Sequence, residues 1–260
     1  MTFSSNRDLF LSPNLRLPIF ALLHPRGLTP AVILSFILAS ILGITSYVWL
    51  DWPKWLASAI FIITMLPIGI AKWHNDFKQY GTTTLIFSVL LISQSLHTIE
   101  HIAQWVQYYS IGYTLRESNG LLSPLNAEWV HFVWNTLVFM AVVKLILGGA
   151  RNGWTWALLI IALFHTLEHT YLLVRYQLVL NELSQLNITN VTAQGLPGFF
   201  GRDGWLARSV FTQNTFLCSI PGLTTATRLD VHFWWNILEL SLLIPAAHVF
   251  LIRVFRTDKK

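Results

Sequence analysis

The sequence predicts an all-α integral membrane protein with about six transmembrane helices, including a four-helix core made of two repeated helical hairpins. Of its 260 residues, 54% are hydrophobic and only 11% are charged, a composition typical of membrane proteins. Apolar stretches long enough to cross a bilayer recur along the chain. Two histidine-containing motifs also occur twice, in the same order.

Each predicted span follows from its length, because a helix needs about 20 mostly apolar residues to cross a bilayer. The predicted spans are 31–50, 55–72, 82–109, 129–148, 153–179 and 232–252. The preceding segment 1–30 contains several prolines and is expected to lie in the cytoplasm or at the membrane surface. Since the first apolar stretch begins only near Ala31, no cleavable secretory signal is expected. Residues 31–80 are predicted to form an accessory hairpin.

The basic residues predict the orientation of these spans. Eleven fall on the side of the two termini: Arg7, Arg16, Arg26, Lys72, Lys78, Lys144, Arg151, Arg253, Arg256, Lys259 and Lys260. Cytoplasmic loops of membrane proteins are enriched in such residues. We therefore expect a plasma (inner) membrane protein with both termini in the cytoplasm. The net charge of +5 then reflects topology, and no nucleic-acid partner is expected.

The repeat consists of the motif HTxEH followed by the motif HFxWN. HTIEH starts at His97 and HFVWN at His131, whereas HTLEH starts at His165 and HFWWN at His232. This order predicts two hairpins, 81–150 and 151–260, related by a pseudo-symmetry axis along the membrane normal.

The second hairpin has a long predicted outer loop, 181–230, that is rich in glycine and aromatic residues. Loops of this length are usually functional or disordered, and we interpret this one as a lid or docking surface. It contains two glycosylation sequons, at Asn187 and Asn190, whose modification the sequence leaves open.

Helical spacing predicts a metal site. At about 100° per residue, the two histidines and the glutamate of each HTxEH motif share an arc of about 100°. Ionisable groups inside a membrane cost about 2.5–3.5 kcal/mol each on insertion scales, and a metal ion would satisfy several of them together. We expect two divalent ions in the outer half of the bilayer. The predicted ligands are His97, Glu100, His101, His131, His165, Glu168, His169 and His232.

Three other polar residues receive supporting roles. Asn135 and Asn236 are expected to orient the histidines of a bound cofactor or to bond to the motif glutamates, or else to join two helices. Glu239 lies one turn beyond Asn236 and is predicted to be a catalytic proton carrier or a further ligand. The alternative for Glu239 is a bonded polar residue near an inner cavity.

The ligand types suit iron first, with zinc, copper or manganese as alternatives. The lone Cys218 excludes an iron–sulfur cluster held by this chain alone. We expect a redox enzyme of the oxidase, hydroxylase or desaturase type, acting on a membrane lipid or lipophilic small molecule with electrons from an external donor. The pattern is similar in a general way to histidine-rich membrane hydroxylases and desaturases, although their HxxHH box is absent.

Four other interpretations remain open at the level of sequence. Histidines on facing helices could bind haem or a pigment in an electron-transfer subunit. HxxEH is also the inverted zinc-peptidase motif, in which the glutamate acts as general base. The cluster could instead capture ions for a metal transporter. Finally, the histidines could serve only as interhelical hydrogen-bonding groups.

Overall fold

The computed structural model describes residues 18–188 and 195–257, which form helices and loops without a β-strand. Several residues used above lie outside these ranges, namely Arg7, Arg16, Asn190, Lys259 and Lys260. Most of the predicted N-terminal segment 1–30 lies outside them as well.

Seven α-helices occupy the described ranges. They are α1 Pro18–Leu23, α2 Thr29–Val48, α3 Lys54–Tyr109, α4 Glu128–Leu147, α5 Gly153–Gln185, α6 Trp205–Arg208 and α7 Arg228–Thr257. Five of these helices, α2, α3, α4, α5 and α7, are long and apolar enough to cross a membrane. The predicted helical class and the bilayer-length apolar helices are therefore confirmed.

Local sequence explains where several helices begin and end. The Asn152 side chain accepts a hydrogen bond from the Thr155 amide at 3.1 Å and so caps the start of α5, as asparagine commonly does. Gly149, with φ of +93°, follows the end of α4 in the conformation that glycine readily adopts there.

Helix α3 consists of two arms, 54–80 and 82–109, separated by Gly81. This glycine has φ of 77° and ψ of −177°, a combination that is nearly restricted to glycine. The helical path is therefore interrupted within what is otherwise a run of 56 residues.

Contacts across Gly81 show that the chain reverses direction there. Ser88 donates a hydrogen bond to Asp76 at 2.9 Å and accepts one from Lys72 at 3.0 Å. In a straight helix, residues 12 and 16 positions apart would be separated by about 18 and 24 Å along the axis. The two arms must therefore pack side by side in opposite directions, joined where Ser88 of the second arm bonds to the buried Lys72–Asp76 ion pair of the first arm.

Four helical segments surround the centre of the molecule, namely the second arm of α3 and the helices α4, α5 and α7. The second arm packs against α7 and α4, and α5 packs against the same two helices from the other side. Helix α2 packs along α3, whereas α1 packs against α7. We call the end where α4 and α7 begin the loop end of the bundle.

The interior of the bundle is divided along its length. At the end opposite the loop end, the core is apolar and includes Phe87, Leu91, Val142, Leu145, Leu158 and Leu251. Toward the loop end, buried histidine, glutamate, glutamine and asparagine side chains replace the apolar ones. The polar half is where the candidate site lies.

Some predicted boundaries were wrong. The span predicted at 55–72 belongs to an arm that continues to residue 80, and the span predicted at 153–179 continues to Gln185. Helix α7 begins at Arg228 rather than at 232. A search for apolar stretches detects only the hydrophobic part of a helix, whereas backbone hydrogen bonding continues through polar turns. The predicted loop 181–230 is accordingly shorter and contains α6 and a 3₁₀ turn, Phe216–Ser219.

Replacing Gly81 by alanine should destabilise the protein by about 1–3 kcal/mol, because a side chain is strained at this backbone conformation. Gly69→Ala is the matched control, since that glycine lies inside the first arm with nothing within 4 Å of a new Cβ atom. Thermal unfolding in detergent would compare the two variants. Equal midpoints would contradict a glycine-dependent reversal.

Candidate metal centre

The six histidines of the repeated motifs form one buried cluster. In the first set, His97, His101 and His131 each present a ring nitrogen, and these atoms lie within 4.8 Å of one another. Their ring centroids are 4.7 to 5.7 Å apart. Ligand nitrogens bound to one ion at about 2.0–2.1 Å would need only small side-chain adjustments from these positions.

The second set contains His165, His169 and His232, and at most 5% of each residue is exposed. The Nε2 atoms of His165 and His169 are 3.2 Å apart, a separation compatible with two ligands of one ion at about 2.0–2.1 Å. The rings of His169 and His232 have centroids 4.9 Å apart. This set matches the first in composition, but only the first brings one nitrogen from each of three histidines within 4.8 Å of one another among the described residues.

The two sets also contact each other. His131 stacks on His169 with a centroid distance of 5.1 Å, and His101 stacks on His232 at 5.9 Å. The α3 second arm, α4, α5 and α7 therefore bring all six predicted histidines to a common centre. His24, His74 and His248 do not belong to this cluster.

Four ring nitrogens in the cluster are buried without a hydrogen-bond partner: Nε2 of His97, Nε2 of His101, Nδ1 of His169 and Nε2 of His232. A buried polar atom left unbonded costs about 1–3 kcal/mol, and most buried polar atoms in proteins have partners. Several such atoms in one cluster indicate a missing partner. A neutral imidazole nitrogen is also the commonest protein ligand for metals.

Hydrogen bonds on the other side of the rings fix their orientation. His232 donates from Nδ1 to the Arg228 carbonyl at 2.8 Å. His101 Nδ1 lies 2.9 Å from the Gln104 side-chain oxygen, which can only accept. Both rings therefore carry their proton on Nδ1 and keep a lone pair on Nε2, as metal-binding histidines with an oriented outer partner do.

Both carboxylate oxygens of Glu239 contact buried side chains. One carboxylate oxygen lies 2.9 Å from His165 Nδ1, and the other accepts a hydrogen bond from Gln94 at 2.7 Å. A carboxylate behind a histidine orients the ring and increases its basicity as a ligand. The structure thus places Glu239 behind His165, in a supporting position rather than in the space among the rings.

The motif glutamate Glu100 contacts a loop instead of the histidines. Its carboxylate accepts hydrogen bonds from the amides of Leu121 and Leu122 at 2.8 and 2.9 Å. The adjacent Gly120 is also bonded through its amide and carbonyl to the Gln107 side chain. A Cβ atom on Gly120 would overlap the Glu100 carboxylate, so only glycine allows the close approach.

The same arrangement recurs at Glu168. Its carboxylate accepts hydrogen bonds from the Phe199 and Phe200 amides at 3.1 and 3.3 Å. A Cβ atom on the preceding Gly198 would overlap this carboxylate. Gly-Leu-Leu and Gly-Phe-Phe are therefore a third element shared by the two halves, which our sequence reasoning missed.

These contacts change the set of candidate ligands. Glu100 and Glu168 were predicted to bind metal, but both carboxylates are used to hold loop amides. The predicted arc of about 100° is wide enough that the glutamate at its edge can face a loop while the histidines of the same motif face the cluster. The remaining candidate ligands are the six histidines.

Asn135 and Asn236 also contact backbone. Each donates its side-chain amide to the carbonyl of the histidine four residues earlier, His131 or His232, at 2.9 Å. The Asn236 oxygen additionally accepts a hydrogen bond from Gln94 at 3.1 Å. They therefore support the helical turns that carry these histidines, and neither is bonded to a motif glutamate.

Other supporting residues were not singled out from the sequence. The buried Glu128 at the start of α4 forms an ion pair with the partly exposed Arg228 at the start of α7, and Arg228 also donates to the Leu196 carbonyl at 3.0 Å. The sequence does carry one signal of such supporting residues, namely the glutamines within the predicted span 82–109. The buried glutamines of that span are Gln94, Gln104 and Gln107.

The fold and the site define a helical protein with a buried, imidazole-rich centre. No model of a known protein family, no curated protein and no solved structure matches the chain.

Alanine at Gly120 or Gly198 should displace the neighbouring glutamate and release its loop. We expect faster hydrogen exchange at the Leu121, Leu122, Phe199 or Phe200 amides and a lower midpoint of unfolding, because buried carboxylates lose charge-assisted hydrogen bonds. Hydrogen exchange followed by mass spectrometry would measure this.

Gly153→Ala is the control for these two variants, since nothing lies within 4 Å of its added Cβ atom. Unchanged exchange in the Gly120 and Gly198 variants would contradict the assignment of both glutamates to loop anchoring.

Proposed function

We propose that this is a six-span membrane protein with an accessory hairpin and two repeated hairpins. The reversal at Gly81 supports this count, because each arm of α3 is about 40 Å long at 1.5 Å per residue and can cross a bilayer separately. The glutamate–loop and asparagine–histidine contacts that recur in both halves support the repeat. The excess of basic residues favours cytoplasmic termini.

The histidine cluster is proposed to bind two transition-metal ions. His97, His101 and His131 would hold one ion, and His165, His169 and His232 would hold the other. The four unpartnered buried nitrogens are the observation that carries this proposal. An imidazole-only donor set suits iron, copper, zinc or nickel, whereas manganese favours oxygen ligands and is less well supported.

The proposed activity is oxidation of a lipophilic substrate by molecular oxygen. The substrate and an external donor would each supply two of the four electrons that reduce the oxygen. A redox metal held by the histidines would supply the electron-transfer chemistry, and a surrounding bilayer would supply apolar molecules. The protein's own contribution is to exclude water by burial and to hold neutral imidazoles in fixed orientations.

Two alternatives receive less support. In HxxEH hydrolases the glutamate acts as general base, but here both motif glutamates accept loop amides. Haem would have to fit between facing histidines, and the rings in this cluster are already in contact with one another.

Elemental analysis with visible and electron paramagnetic resonance spectra of purified protein tests the metal proposal. We expect about two ions per chain, one for each three-histidine set, and about one after His101→Ala. The matched control is His74→Ala, which removes an exposed histidine outside the cluster. Metal-free protein from cells grown with iron, copper and zinc, or equal metal loss in both variants, would refute it.

For the redox proposal, metal-loaded protein in lipid vesicles should consume oxygen when a reductant is added. His101→Ala should abolish most of this consumption and His74→Ala should leave it unchanged. A centre that contains only zinc and shows no such consumption would refute the redox activity while leaving metal binding intact.

Glu239→Gln should lower affinity at the second site by about 10–100-fold, the usual effect of losing an outer partner of a metal ligand. Competition with a calibrated chelator would measure this, with Glu182→Gln on the exposed part of α5 as control. Equal affinity in the two variants would show that Glu239 does not tune His165.

A further inference from the structure

We propose that a groove between α2 and the two arms of α3 binds a single-chain lipid with an anionic head group. The inference goes beyond the proposed function, because it assigns a lipid site on the side of the second arm that faces away from the histidine cluster. It depends on three observations: the size of the groove, its shape and its charge.

The groove is an apolar cavity of about 520 Å³, a volume within the range of about 300–1,000 Å³ that is typical of small-molecule sites. Its walls include Gly43 of α2, Phe61 of the first arm, and Leu96 and Ile99 of the second arm. Leu96 and Ile99 remain 48% and 50% exposed although the neighbouring helices line the same space. The helices therefore stand apart and leave a space that an apolar chain would fill.

The shape favours one extended chain. On α2, the lining residues extend from Ser40 to Tyr47, which corresponds to about 10 Å along the helix axis. Lys54, the first residue of α3, lines the groove at its loop end, whereas Phe61 and Ile62 line it further along. A lipid would thus place its tail among apolar residues and its head group near a cation.

Charge complementarity favours an anionic head group. Among the residues that the structure describes, Lys54 is the only lysine or arginine in the lining of this groove. The negative charge nearby belongs to Glu100, whose carboxylate is satisfied by the Leu121 and Leu122 amides. An acidic head group would therefore find its free counter-charge at Lys54.

The groove and the histidine cluster lie on different sides of the second arm of α3. Glu100, Leu121 and Leu122 line the groove, and Glu100 immediately precedes His101 in the helix. At about 100° per residue, Leu96 and Ile99 lie about 100–160° around the helix from His97 and His101, and Glu100 lies between the two faces. The helix and the clamped loop therefore separate a bound lipid from the first histidine set.

The second half of the repeat provides an internal comparison. Phe164 and Leu167 occupy the motif positions of Leu96 and Ile99, and they too are about half exposed. Helix α2 packs along α3, so the accessory hairpin forms a groove beside the first HTxEH motif. A substitution at Leu167 is therefore a matched control for one at Ile99.

The test is photo-crosslinking of the full chain in nanodiscs with a diazirine-bearing palmitic acid, followed by mass spectrometry. Labels should concentrate in 40–47, 57–62 and 96–99. Ile99→Trp should fill the groove and reduce labelling about tenfold, the equivalent of about 1.4 kcal/mol in binding, whereas Leu167→Trp should leave it unchanged. Lys54→Gln should weaken labelling by up to about fivefold, as expected for an exposed charge pair.

Competition with unlabelled lipids shows which kind of lipid occupies the groove. Free palmitic acid should compete with the probe, whereas hexadecanol and a two-chain phospholipid should compete poorly. Equal competition by hexadecanol would overturn the anionic head group. Labels spread evenly over the apolar helices, or equal effects of Ile99→Trp and Leu167→Trp, would overturn the groove as a specific site.

Metal content measured on the same samples keeps the two proposals separate. Unchanged metal with no specific labelling would overturn the groove inference alone. Specific labelling of a protein that binds no metal would overturn the proposed function alone.

Discussion

Six imidazole rings packed together inside an apolar helical bundle impose the constraint on which the rest of the structure depends. Each ring has two nitrogens, and a buried nitrogen without a partner is costly. The chain meets part of this requirement itself, through backbone carbonyls and the side chains of Gln104 and Glu239. What remains are four buried ring nitrogens without a hydrogen-bond partner. A cation is the simplest partner that can satisfy several of them together.

The buried carboxylates are balanced in a different way. Glu100 and Glu168 are satisfied by backbone amides of the connecting loops, and one carboxylate oxygen of Glu128 bonds to Arg228. Each of these contacts ties a loop or a helix start to the polar half of the bundle. Glu100 and Glu168 thus hold the loops close to the histidine cluster, and their negatively charged carboxylates face the loop amides rather than the histidines. The donors left to a metal are neutral, which favours transition metals over magnesium or calcium.

Sequence reasoning predicted the helical class and the meeting of the six histidines, because apolar length and helical spacing are local properties. It did not predict the loop contacts of Glu100 and Glu168, since the spacing of HTxEH places a side chain on a face without specifying its partner. Those partners, Leu121 and Phe199, belong to loops whose path depends on tertiary contacts. The significance of Gln94 was likewise invisible, because its partners Asn236 and Glu239 are 142 and 145 residues away.

The two halves of the histidine cluster differ in the residues behind the rings. Glu239 lies behind His165, whereas the corresponding residue of the first half is Val138, an apolar core residue. Gln104 contacts His101, whereas the corresponding residue of the second half is Leu172. An anionic neighbour makes an imidazole a stronger electron donor. If two ions of the same element were bound, they would therefore have unequal reduction potentials, with the higher oxidation state favoured beside Glu239. A few divergent residues in two similar motifs are sufficient for such electronic asymmetry, which two identical subunits could not provide.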